Sequence, residues 1–121
     1  MKYMLLVHHD ENVINALPEI ELQALRAESV QLANDINAEN KYIDAAPLYA
    51  ASTGTCVRVR GGETFTTDGP FAETREQLGG YYLINAENLD EALAFARRIP
   101  GARIGTVEIR PVMKLDGLPE K

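Results

Sequence analysis

The stretch TCVRVRGGETFTTDGPFAETREQLGGYYLIN, Thr55–Asn85, decides how this chain folds. In its first half Val57 and Val59 alternate with Arg58 and Arg60, Gly61-Gly62 has the composition of a two-residue turn, and Glu63–Thr67 returns, so the segment reads as a β-hairpin. In that register Arg60 faces Glu63 and Arg58 faces Phe65, while Val57 and Val59 share the opposite face with Thr64 and Thr66. A turn, Asp68-Gly69-Pro70-Phe71, follows. A charged loop then leads into a further strand at Gly80–Asn85.

On the N-terminal side, Lys2–His9 is apolar at both parities (Tyr3, Leu5 and Val7 against Met4 and Leu6), the mark of a central strand. Pro18 suits the first turn of a helix, and Leu22, Leu25, Leu32 and Ile36 recur at helical spacing as far as Asn37. Tyr42–Leu48 contains Pro47 and reads as a short edge strand or a bulge. On the C-terminal side, Asn88 with Glu91 three residues on forms a capping box. The stripe Leu89, Ala92, Leu93, Ala96 and Ile99 then makes an amphipathic helix that Pro100-Gly101 ends. A last strand covers Gly105–Val112, where Val107 and Ile109 alternate with polar residues.

The order β-α-β-hairpin-β-α-β predicts a ferredoxin-like α+β domain over residues 1–113, with both helices on one face of an antiparallel sheet and a loose tail at 114–121. The other face is expected to carry Arg58, Arg60, Glu108 and Arg110 with Phe65 and Tyr82. Such a face is too polar for a second core and too crowded to stay bare. Two copies packed through it would enclose a partly polar cavity, so a homodimer, a dimeric α+β barrel, is expected.

Composition narrows the function classes. At 121 residues with a net charge of −6 and no basic run beyond Arg97-Arg98, the chain lacks the footprint of a nucleic-acid binder. No stretch has the length of a membrane span, and histidines break the first apolar run too early for a signal peptide, which places the protein in the cytoplasm. Cys56 stands alone and reads as a small, half-buried hydrophobe. His8 and His9 are neighbours in a strand and point to opposite faces, so they do not chelate one metal together. No metal and no cofactor is expected, and neither a nucleophile–base motif nor a phosphate loop is present.

The chemistry-bearing residues cluster at the strand ends. Asp68 reads in two ways: as a cap on the backbone N–H of Phe71 or Ala72 in a hard turn, or as a general base where burial beside Phe71 raises its pKa. His9, next to Asp10 at the end of the first strand, is either solvated or an assisting acid. Glu73, Arg75 and Glu76 form a solvated loop unless Arg75 binds a carboxylate. Arg58 and Arg60 either line a cavity and favour an anion or pair with Glu63 or Glu108. Gly79-Gly80 lets its strand approach another backbone closely.

Taken together, MKYMLLVHHDE, TCVRVRGGE, TTDGPFAETREQLGGYYLI, NLDEALAFARRIPGA and GTVEIRPV resemble the YCII-related, or DGPF-domain, proteins over nearly the whole chain to Val112. The resemblance implies a ferredoxin-like dimeric α+β barrel in the bacterial cytoplasm, in a family mostly of unknown function. It also implies genomic neighbours encoding extracytoplasmic-function sigma factors. In the wider superfamily a His and Asp pair lines a catalytic cleft, and at least one branch removes chloride from a chlorinated hydroquinone. This chain departs from that pattern, because Pro18–Asn37 contains no histidine and the dyad has no counterpart here.

Two functional expectations follow. The first is a homodimeric small-molecule-binding protein, with cofactor-free elimination or isomerisation on a small aromatic or anionic substrate. In it Asp68 is the base, His9 the assisting acid, Arg58 and Arg75 orient the anion, and Phe71 packs on the substrate. The second is a non-enzymatic regulatory or assembly module in a sigma-factor pathway, whose DGPF segment is a structural or interface turn.

Overall fold

Apolar residues at both parities place β1 (Lys2–His9) at the centre of the fold of the computed structural model, which describes residues 1–119. A short helix α1 (Glu11–Asn15) and the long α2 (Glu19–Ala38) follow, with Pro18 at the N-cap of α2. Asn40, with φ of 62°, takes the left-handed conformation that stops a helix, and the N–H of Lys41 closes on the carbonyl of Ile36. Next come β2 (Tyr42–Pro47), a single 3-10 turn at Ala51–Thr53, β3 (Thr55–Arg60), β4 (Glu63–Asp68) and β5 (Gln77–Asn85). The chain finishes with α3 (Leu89–Ala96), α4 (Gly101–Ile104) and β6 (Gly105–Pro111). Residues 114–119 of the tail carry neither helix nor strand, and 120–121 lie outside the described residues.

The main sheet is antiparallel with strand order β2-β5-β1-β6, the ferredoxin-like arrangement. β2 takes an edge, where Pro47 costs no ladder bond. Tyr3 and Leu5 from β1 and Tyr82 and Ile84 from β5 are buried against Leu32 and Ile36 of α2 and Ala92, Phe95 and Ala96 of α3. The buried stripe of α3 is therefore Ala92, Phe95 and Ala96, with Ile99 buried just past the helix end, while Leu89 and Leu93, expected in it, are about half exposed. The cap of α3 is as the spacing predicts: the side-chain Oδ1 of Asn88 accepts from the N–H of Glu91 at 3.0 Å. The Glu91 carboxylate reaches back to the N–H of Glu87 at 3.1 Å and takes the ammonium of Lys41 at 2.7 Å.

The β3–β4 hairpin has the expected register, with Arg60 opposite Glu63, Arg58 opposite Phe65, and Val57 and Val59 opposite Thr66 and Thr64. Gly61 and Gly62 both have positive φ, as the two-residue turn requires. Its place differs from expectation. β3 and β4 pair with each other and not with the main sheet, because both sides of β5 are already taken by β1 and β2. Arg58, Arg60 and Phe65 are therefore absent from the open sheet face. Tyr82 is absent too: it lies on the helix side and donates its hydroxyl to the carbonyl of Ser29 at 2.8 Å.

Candidate functional site

The open face of the sheet is built by the even residues of β1 and the residues opposite them. Met4 lies between Leu83 and Arg110, Leu6 between Tyr81 and Glu108, and His8 between Leu78 and Thr106. An apolar strip of Met4, Leu6 and Leu83 thus runs down the middle, each side chain half-buried. Polar groups border it and already hold one another. Tyr81 donates to Asp44 at 2.7 Å, Thr106 donates to Glu76 at 2.7 Å, and the ring of His8 meets Glu108 at 3.3 Å. The bond to Asp44 holds the Tyr81 hydroxyl above its ordinary pKa, since ionisation would place two anions together. Glu108 and Arg110 were expected on this face, but Tyr81 in place of Tyr82 and the apolar strip were not.

A second feature forms where β1 ends. Asp10 caps α1 by accepting from the N–H of Asn12 at 2.9 Å, and Glu11 accepts from the N–H of Ala51 at 2.9 Å, which pins the 3-10 turn to the start of α1. From the other side, Gly69 turns the chain with φ of 96°, and the amide of Gln77 donates to the carbonyls of Ala72 and Thr74 at 3.0 and 2.9 Å. Between them lies an open cleft of about 290 Å³ lined by Asp10, Glu11, Asn12, Ser52, Pro70, Glu73, Thr74, Arg75 and Gln77. The DGPF turn contributes its Pro70 wall. A second open cleft of about 280 Å³, beside α2, is lined by Glu28, Asp35, Arg98 and Arg103, whose charges pair as Arg98 with Asp35 and Arg103 with Glu28.

The structure distributes the expected site residues as follows. Arg75 lines the cleft, with Asp10. Asp68 ends β4, is exposed, and its carboxylate makes no hydrogen bond among the described residues, so no cap on Phe71 or Ala72 forms. Phe71 is 83% exposed. His9 is half-buried with its imidazole against Gly79, the residue left over where the β1–β5 ladder shifts register. Arg58 stands on the free hairpin, and neither it nor Arg60 meets a carboxylate among the described residues. Cys56 is half-buried, its thiol 3.4 Å from the carbonyl of Gly69.

Sequence reasoning did not single out Asn12, Ser52, Thr74 or Gln77, because short polar loops carry no periodicity to mark which of their side chains converge. Among the described residues no three His, Cys, Asp or Glu side chains converge to hold a metal ion, and no helix is long and apolar enough to cross a membrane.

The profile of the YCII-related domain matches residues 1–116. The chain is also 38% identical over 121 residues to an uncharacterized protein of Rhizobium meliloti (strain 1021), covering 93% of this chain and 92% of that one.

Proposed function

The chain belongs to the YCII-related family, and from that premise we propose that it works in the cytoplasm as a homodimer of small-molecule-binding subunits, two copies meeting through the open faces of their sheets. The observation that carries this reading is the makeup of that face. Covering Met4, Leu6 and Leu83 gains roughly 25 cal/mol per Å² of apolar surface, and the bordering carboxylates Asp44, Glu76 and Glu108 keep their hydrogen bonds at a rim that stays wet, which avoids the cost of burying them. A second copy presents the same strip and border across a two-fold axis.

The ligand site in this proposal is the cleft at the end of β1. Arg75 supplies a planar cation suited to a carboxylate or phenolate. His9 and Asp10 stand at the strand end as a proton donor and acceptor, and a turn closed over the cleft would add Asp68 as base and Phe71 as an aromatic wall. Arg58 joins the anion's contacts only from a hairpin folded toward the site. The chemistry open to such a set is cofactor-free proton transfer, an elimination or isomerisation on a small aromatic or anionic molecule.

A second reading is favoured by one specific observation: Asp68 is exposed without a partner among the described residues, beside a Phe71 that is 83% exposed. A turn of that kind suits an interface, and on this reading the chain is a non-enzymatic assembly or regulatory module, with an extracytoplasmic-function sigma-factor pathway as the setting that the family resemblance implies. A metabolite thermal-shift screen on the wild type, Arg75→Ala and Asp68→Asn separates the two. A ligand that stabilises the wild type and not Arg75→Ala supports the cleft, and equal stabilisation of both removes Arg75 from it. A fall in melting temperature for Asp68→Asn, with no ligand found, favours the assembly module.

A further inference from the structure

The β3–β4 hairpin has no visible reason to be folded in a single chain. Two six-residue strands paired only with each other are marginal in water, because neither face is covered. Here all twelve residues except Cys56 are exposed, with Val57 at 65% and Val59 at 59%. The hairpin is nonetheless firmly rooted. The N–H of Gly69 donates to the carbonyl of Gly54 at 2.8 Å, and that of Gly54 to Ala51 at 3.0 Å. The root sits at the cleft rim, between the lining residues Ser52 and Pro70.

We propose that this hairpin is an intersubunit arm whose Val57, Val59, Thr64 and Thr66 face packs on a second copy of the chain; the inference rests on the dimeric reading above. Two observations support a second copy as the occupant. First, the face is wholly β-branched, two valines and two threonines, the composition of a covered strand face rather than a solvated one. Second, the arm has the reach: six residues extend roughly 20 Å, while sheets packed face to face lie only about 10 Å apart. An arm that crosses the interface from the rim of one cleft makes each copy's site depend on the other.

Sedimentation equilibrium on the full chain tests the arm. Val57→Asp/Val59→Asp is expected to raise the dimer dissociation constant at least about tenfold, and the milder Val57→Ser/Val59→Ser to raise it in the same direction. Ile20→Asp, a control on the exposed side of α2, is expected to leave it unchanged. Circular dichroism of each variant verifies the main sheet and helices. A wild-type dimer that both valine variants leave within about twofold overturns the arm while sparing the face-to-face dimer. A wild type that stays monomeric at tens of micromolar overturns both.

Discussion

The imidazole of His9 occupies the place where a side chain on Gly79 would begin: a Cβ built on that glycine falls among the ring atoms. Gly79 has an ordinary φ, so its requirement is steric rather than conformational. Gly80 next to it meets the Ala46 backbone oxygen at 2.9 Å from its own would-be Cβ, the close strand approach expected of the pair. Gly79→Ala should therefore cost about 1–3 kcal/mol by overpacking. Urea unfolding of Gly79→Ala, His9→Ala and the double variant measures it. The cost should fall sharply in the His9→Ala background, and an undiminished cost would show that something other than the ring fills the space.

The two adjacent tyrosines should respond differently to loss of their hydroxyls. Tyr82 is buried and ties β5 to the carbonyl of Ser29 in α2, so Tyr82→Phe removes a buried hydrogen bond and should cost about 1 kcal/mol. Tyr81 bonds the exposed Asp44, and Tyr81→Phe should fall within about 0.5 kcal/mol of wild type. Denaturant midpoints compared at equal m decide it, and the reverse order would contradict the facing described above.

Acid should weaken the fold through two carboxylates. The side-chain bond from Gln31, with Arg98, holds Asp35 below its ordinary pKa, and the Lys41 ammonium, with the Glu87 N–H, does the same for Glu91. A carboxylate with a depressed folded pKa contributes stability that is full above its unfolded value and is lost as pH falls through the folded one. Melting temperature should therefore drop on acidification below about pH 5. Asp35→Asn/Glu91→Gln should flatten that limb, and an equally steep limb in the double variant would mean that other groups set it. At the alkaline end Lys41, raised by Glu91, acts with the opposite sign, its contribution fading as pH climbs through its folded pKa.

Asp68→Asn should leave the stability of a single chain within about 0.5 kcal/mol, because the carboxylate is exposed and makes no hydrogen bond among the described residues. Scanning calorimetry at a dilution where dimer is absent measures this. A larger loss there would mean that the carboxylate holds the turn within its own chain.

Much of the fold was legible because it is local. Gly61-Gly62 between alternating strands set the hairpin register residue by residue, Asn88 and Glu91 marked the start of α3, and Pro47 marked an edge. Each rests on neighbours within a few positions. Tyr81 and Tyr82 were not distinguishable in that way, since both parities of β5 are apolar and only packing against α2 decides which ring is buried. Asp10 read as chemistry and turned out also to be the cap of a five-residue helix, too short to leave a periodic signal.

By itself, then, the sequence determined the six strands, the two longer helices, their order and the ferredoxin-like layout, because backbone propensity, capping and turn geometry act over short distances, while the short α1, α4 and the 3-10 turn left no such signal. Only the tertiary structure decided that the hairpin stands apart from the sheet and that Met4, Leu6 and Leu83 share an uncovered face. It alone brought Arg75 to Asp10 across a cleft while leaving Asp68 and Phe71 outside. Those outcomes depend on which strand edges are already taken and which loops meet, and pairing between distant segments leaves no pattern in either segment alone.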